Sequence, residues 1–315
     1  MPAPETWEGR VQFLKGMLKS CVLCPRRCRI DRTGEGRGFC DLPADVVISH
    51  ALAHHGEEPP LSGTCGAGTI FLSSCNLKCV FCQNHQISRQ GAGRIADTEK
   101  IARIMLDLQE QGCHNIEPVT PTPHLPGFIE GFILARLNGL TVPLVYNCGG
   151  YEDPEVIRLL RGLVDIYLPD FKYGNHQDAH DCCGVDDYHV FALESVIEMV
   201  KQVGEGLDVA ANVARRGIIV RHLVLPGRVE NSLDVLRLIK KRVSTAVPIS
   251  LMSQYTPTPA VRNRPGLGRR LTREEYERVV DEALDMGFET LFVQELDERN
   301  LIPDFNRENP FNWER

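Results

Sequence analysis

The sequence predicts an α/β fold: a partial (β/α)6 TIM-like barrel carrying a small, cysteine-rich metal-binding module at its N-terminus. Three observations lead there. From residue 66 onward a unit recurs in which a short β-rich apolar run is followed by a loop, an amphipathic stretch and a glycine. Strands alternating with helices pair in parallel through right-handed crossovers, which gives a doubly wound sheet or a barrel. About six or seven such runs can be counted, which favours an incomplete barrel over a closed eightfold one. Residues 1–65 lack the repeat and hold closely spaced cysteines instead, while the aromatic, proline-bearing end has no periodicity. The expected division is therefore a module over 1–65, the barrel over 66–295 and a tail over 296–315 packed on the barrel.

The opening "MPAPETWEGRVQFLKGMLKS" reads as a helix-like start, with no apolar run of signal-peptide length. No stretch of eighteen apolar residues follows anywhere, so a cytoplasmic protein without a membrane partner is expected. Hydrophobic content of 43% and charged content of 24% exclude a disordered or fibrous chain. A net charge of −7 argues against coating nucleic acid, and the arginine clusters Arg215–Arg216–Arg221 and Arg262–Arg264–Arg269–Arg270 are the usual solvated kind. Twelve cysteines in a reducing compartment are ligands or catalysts before they are disulfides.

In the module, Cys21-x-x-Cys24-x-x-x-Cys28 and then Cys40 offer four thiols within twenty residues. Four ligands close a site, so zinc or an auxiliary [4Fe-4S] cluster suits it, and the spacing does not separate them. "DVVISHALAHHGEEPPLSG" follows as a strand and a proline-rich turn, with His54, His55, Glu57 and Glu58 together on the turn. The barrel then begins at "GTIFLSS". Its helical stretches end at Gly112, Gly139, Gly162, Gly204 and Gly287, each supplying the left-handed residue that closes a helix. Asp153 before Pro154, and Thr272 with Glu275, are start signals. The remaining strands are "NIEPVT", "PLVYN", "VDIYLP", "GIIVRHLVL", "PISLMSQY" and "ETLFVQ".

Directly after the first barrel strand, "CNLKCVFCQN" puts Cys75, Cys79 and Cys82 inside eight positions. Reactive groups of a βα fold collect where strands end, so this loop faces the mouth. Zinc usually takes paired C-x-x-C knuckles; a single C-x-x-x-C-x-x-C loop can instead wrap three corners of a cubane cluster and leave one iron open.

With its Gln83 and Asn84, its preceding strand and its βα repeat, this motif resembles the radical S-adenosylmethionine superfamily. In detail the chain is similar to an uncharacterised branch near the pyruvate formate-lyase activating enzymes, through "CPRRC", "GEEPPLSG" and "RHLVLPG". The resemblance implies a [4Fe-4S] cluster on Cys75, Cys79 and Cys82 whose open iron takes S-adenosylmethionine. Reductive cleavage then gives a 5′-deoxyadenosyl radical that abstracts hydrogen from a glycyl or other residue of a partner protein, or from a small molecule. An electron donor of flavodoxin or ferredoxin type is implied with it. By the same resemblance Phe81 and Asn84 flank the cofactor, Asp170 and Lys172 in "PDFK" lie near it, Arg221 meets its carboxylate, and Gln254 approaches its nucleoside.

One departure stands out: where many relatives carry Gly-Gly-Glu for the methionyl amine, this chain has "VTPTPH", so Thr120, Thr122 and local carbonyls are the expected acceptors. Asn147 in "YNCGGY" offers an amide to the cavity. The rival readings are an iron–sulfur carrier or zinc-bound interaction protein, and radical chemistry on RNA. An open three-cysteine loop among polar strand ends speaks against the first, and the acidic charge against the second.

Overall fold

The computed structural model of the chain describes residues 4, 6–297 and 299–312. In chain order its principal elements are α1 (Trp7–Gly16), β1 (Val46–His54), α2 (Pro59–Ser62), β2 (Ala67–Leu72), α3 (His85–Ser88), β3 (Arg94–Ala96), α4 (Thr98–Glu110), β4 (Ile116–Val119) and α5 (Leu125–Leu137). There follow β5 (Val145–Cys148), α6 (Pro154–Leu159), β6 (Ile166–Pro169), α7 (His176–Cys183), α8 (Tyr188–Val203), β7 (Leu207–Ala210), β8 (Val213–Ile218) and β9 (Val220–Leu223). The last are α9 (Val229–Arg242), β10 (Ile249–Met252), α10 (Arg273–Asp285) and β11 (Leu291–Val293).

The α/β class holds. β2, β4, β5, β6 and β8 pair in parallel in that order, and β9, β10 and β11 continue in parallel beyond them. Only Ile219 separates β8 from β9, and a bridge from Asp170 to Arg221 joins β6 to β9, so one sheet passes into the other. The five glycines expected to close helices all have positive φ, from 80° to 101°. Asp153 accepts a hydrogen bond from the Glu155 amide, and Thr272 forms a complete capping box with Glu275.

Side chains alternate between two cores. Ile70, Leu72, Tyr146, Tyr167 and Leu251 face the helices and are buried with Met105, Phe128, Val196, Leu236 and Val279. Val145, Ile166, Leu168, Ala214 and Ile219 face the lumen, closed from below by Leu61 of α2. The N-terminal segment does not stand apart from the sheet: β1 pairs antiparallel with β2 and carries β3 on its other edge. α1 packs on α5, where Lys15 meets Glu130 at 2.7 Å. The tail reaches the face of β2 turned away from the helices. There Phe305, buried, and Phe311 each lie 5.3 Å from the Phe71 ring.

Two elements had no sequence expectation. β7 forms an antiparallel edge on β8, and α7 runs between an Asn175 cap and a left-handed Gly184. No helix among the described residues is long and apolar enough to cross a membrane.

Candidate active site

The parallel strands deliver their C-terminal ends to one mouth, and the loop after β2 sits across it. Four contacts hold this loop. The Gln83 amide donates to the Gln254 carbonyl at 2.6 Å, tying it to the end of β10, and the Val80 amide donates to the Cys182 carbonyl at 2.9 Å. Asn76 donates to the Tyr151 carbonyl at 2.7 Å, while Arg26 of the N-terminal segment donates to the Asn76 carbonyl and, at 3.0 Å, to that of Cys183.

The loop's thiols are electrostatically near one another, since Cys79 and Cys82 raise Cys75, and Cys79 raises Cys82. Burial is the larger cause, pushing Cys75 up to about 12 and Cys82 upward as well. Cys79 moves the other way, to about 7, because a hydrogen bond from Cys183, the Lys172 cation and the Tyr173 hydroxyl together outweigh burial. Each sulfur has a protein donor: the Leu77 amide to Cys75 at 3.3 Å, the Tyr173 hydroxyl to Cys79 at 3.2 Å and the Ser88 hydroxyl to Cys82 at 3.2 Å. Three thiols with N–H and O–H donors and a cation alongside suit an iron–sulfur cluster, whose sulfurs carry negative charge and are tuned by such bonds. Among the described residues, no three Cys, His, Asp or Glu side chains already surround a metal-sized point, so the loop offers donors rather than a closed cage.

Asp170 and Lys172, just past β6, form an ion pair beside this loop. Burial alone would lower the lysine, but Asp170, Cys79 and Cys82 reverse that and raise it. Gly150 makes the approach possible. Its φ is +80°, and an added Cβ would run into the Asp170 carbonyl and lie 2.5 Å from the Tyr188 hydroxyl. That hydroxyl in turn donates to the Asp170 and Gly149 carbonyls at 2.9 and 2.8 Å.

The other expected residues divide. Asn84 is half-buried at the start of α3, and Gln254 sits at the end of β10 against the loop. Thr120, at the end of β4, holds φ of +59° while its amide donates to the Asn147 carbonyl at 2.9 Å. A β-branched residue there is strained, and such strain collects at functional sites. Thr122 lies behind the sheet, where its hydroxyl donates to both Glu152 carboxylate oxygens at 2.8 Å, and burial pushes Glu152 up to about 7. Phe81 is buried between Tyr173 and Tyr255 and supports the loop from its packed side.

Arg221 and Asn147 point into the lumen. The guanidinium donates to Glu58 at 2.8 Å and pairs with Glu57 as well, and Glu57 also meets His54 at 2.6 Å. Burial works against the Glu57 carboxylate, yet Arg221 and His54 hold it at about 2. Asn147 donates to Glu117 at 2.8 Å, and the other Glu117 oxygen has no partner. Burial, then the charge of Glu57, raises Glu117 well above the carboxylate range, so it is a neutral acid at pH 7. The turn acids Glu57 and Glu58 are thus counter-ions in the barrel interior.

Sequence reasoning missed Tyr173, Ser88, Cys183 and Arg26. Tyr173 follows "PDFK" directly and could have been found by extending that strand end by one residue. The other three reach the loop only through the tertiary fold.

Comparison with known proteins completes the description. Residues 69–249, more than half of the chain, match the family model described as Radical SAM superfamily. An uncharacterized protein of Methanocaldococcus jannaschii, MJ0674, is 29% identical over 92% of this chain and 81% of its own length. A second from that organism, MJ0808, is 25% identical over 70% of this chain and 64% of its own. Among solved structures, Streptococcus suis SuiB bound to S-adenosylmethionine matches at a TM-score of 0.49 and 11% identity, covering 70% of this chain and 48% of SuiB. The methyltransferase TsrM from Kitasatospora setae, with cobalamin and a [4Fe-4S] cluster bound, matches at 0.42 and 15%, covering 61% of this chain and 38% of TsrM. The chain therefore spans half or less of the length of these solved structures.

Proposed function

The chain belongs to the radical SAM superfamily, and from that premise we propose that Cys75, Cys79 and Cys82 hold three corners of its [4Fe-4S] cluster. The fourth iron is left for S-adenosylmethionine. Such a cluster, when bound, supplies the electron that cleaves S-adenosylmethionine to methionine and a 5′-deoxyadenosyl radical for hydrogen abstraction. The observation carrying the assignment is the loop itself: three thiols at the mouth, each with its own protein donor to sulfur.

The chain's own part is positioning and exclusion. Tyr173, Ser88 and the Leu77 amide stabilise sulfur charge, and Lys172 adds a cation beside Cys79 and Cys82. Thr120, Asn84 and Gln254 surround the mouth with acceptors for the cofactor's amine and nucleoside. The lumen below is filled by packed side chains and a satisfied ion cluster, so water is kept from a radical formed above it. Arg221 belongs in this reading to the lumen cluster, and serves the cofactor's carboxylate only if Glu57 and Glu58 release it. The hydrogen donor we propose is a glycyl or other residue of a partner protein, with a flavodoxin- or ferredoxin-type electron donor. That finer reading rests on the resemblance to activating enzymes.

Anaerobic reconstitution followed by dithionite reduction tests the assignment. Wild-type protein with S-adenosylmethionine is expected to release 5′-deoxyadenosine, and the Cys79→Ala protein none. Product from neither protein, or undiminished product from Cys79→Ala, would overturn it.

A further inference from the structure

Between α1 and β1 the chain makes no sheet and bends sharply around four thiols. Cys21 and Cys40 are buried, and Cys24 and Cys28 are half-buried. The Cys21 amide donates to the Ile30 carbonyl at 2.9 Å, Arg29 returns the bond to the Cys21 carbonyl at 3.0 Å, and the Arg27 amide donates to the Cys24 carbonyl at 3.0 Å. Arg27, Arg29 and Asp41 hold φ of 39°, 56° and 57°, and a Cβ on Gly38 would lie 2.8 Å from the Cys28 sulfur. Left-handed residues of this kind cost about 1 kcal/mol or more each. Leu18, Leu23 and Leu42 are the leucines this segment buries, a small apolar return for that strain.

Arg32 gives the second, independent observation. It is 1% exposed, and its guanidinium donates to the carbonyls of Leu42 at 3.2 Å, Pro43 at 2.6 Å and Pro123 at 2.8 Å. Its remaining partner is the Cys21 sulfur, 3.9 Å from Nη1. None of these partners is a carboxylate. A buried cation without a counter-charge is strongly unfavourable. Neutral thiols supply no charge, whereas four thiolates around a divalent ion or a cubane leave a net negative centre beside the guanidinium.

We propose that Cys21, Cys24, Cys28 and Cys40 together bind a tetrathiolate metal centre, with Arg32 as its buried counter-charge. The centre also braces the active-site loop. Arg26 lies between two of its ligands, Cys24 and Cys28, and donates to the carbonyls of Asn76 and Cys183, each beside a thiol of the mouth. Metal binding fixes the segment from which Arg26 extends, because binding free energy at such sites becomes folding free energy. The metal site stands without the radical chemistry; the bracing role rests on reading Cys75–Cys82 as the cluster loop.

The test uses full-length protein carrying Cys75→Ala, Cys79→Ala and Cys82→Ala, purified anaerobically and analysed for zinc, iron and sulfide. It is expected to retain about one zinc ion or about four irons per chain, the two arms identifying which metal the thiolates take. X-ray absorption at that metal's edge is expected to show an all-sulfur shell at about 2.3 Å. Adding Cys24→Ser and Cys40→Ser should cut the retained metal roughly tenfold or more. Metal content no higher than in that five-substitution protein, or a shell containing nitrogen or oxygen ligands, overturns the proposal. The shell is read on protein whose N-terminal segment is intact, so misfolding of the five-substitution protein does not blur the outcome. For the brace, Arg26→Ala in the otherwise native chain should leave the N-terminal metal in place and speed chelator removal of the Cys75–Cys82 iron about threefold or more. An unchanged rate overturns the bracing role alone.

Discussion

Replacing Arg221 by methionine removes the guanidinium from a lumen in which Glu57, Glu58 and Glu117 lie close together. The size of the effect follows from Glu57, whose carboxyl is held at about 2 against an ordinary 4.5. That difference is worth about 3.4 kcal/mol at pH 7, shared between Arg221 and His54. Glu58 loses its partner too, and breaking one side of a buried ion cluster costs about 3–5 kcal/mol. We expect Arg221→Met to destabilise the protein by about 3–5 kcal/mol in urea unfolding at pH 7. A depressed carboxylate contributes stability above its unfolded pKa and loses it as pH falls toward its folded one. The wild-type advantage should therefore shrink steadily from pH 4.5 down toward 2. Arg221→Lys keeps the charge but not the two-oxygen geometry and should fall between the two. A Met variant within about 1 kcal/mol of wild type at pH 7, or a gap independent of pH, would refute the ion cluster and return Arg221 to the cofactor's carboxylate.

Tyr173→Phe removes the hydroxyl 3.2 Å from the Cys79 sulfur; losing about 1 kcal/mol of hydrogen bonding to the reduced cluster should lower its potential by about 40 mV in an EPR-monitored titration. Gly150→Ala forces a left-handed alanine against the Asp170 carbonyl and should cost about 3 kcal/mol or more by urea unfolding. His124 and His222 are buried and neutral, with burial lowering each to about 4 from an ordinary 6.5. The unfolded chain binds their protons more readily, so stability is full above pH 6.5 and falls by about 3 kcal/mol per histidine as pH drops to 4. His222→Gln should flatten about half of that slope; an unchanged slope would contradict it.

Much of the barrel was legible because its signals are local. Period, glycine ends and capping residues placed all the parallel strands, since each depends on a few neighbouring residues. The edge strand β7 escaped because "LDVA" is mostly exposed and lacks an apolar face, and α7 because "HQDAHDCC" is polar along much of its length. At the mouth, Cys75, Cys79, Cys82, Asp170 and Lys172 could be named because a strand end and a motif identify them. What joins them could not. The partners of Arg221 lie 163 and 164 residues away, and Arg26 reaches Asn76 and Cys183 across 50 and 157. Residue type placed Thr120 and Thr122 together as acceptors, but one turn of chain sends Thr122 behind the sheet to Glu152.

The central claim is an iron held open by a three-thiolate loop, and the most direct measurement is the EPR spectrum of the dithionite-reduced, reconstituted protein with and without S-adenosylmethionine. To isolate that cluster, Cys24 and Cys40 are replaced by serine, leaving Cys75, Cys79 and Cys82 intact. The account predicts a reduced [4Fe-4S] signal that shifts when S-adenosylmethionine is added and disappears with Cys79→Ala. A signal indifferent to S-adenosylmethionine, or one that survives Cys79→Ala, would contradict it.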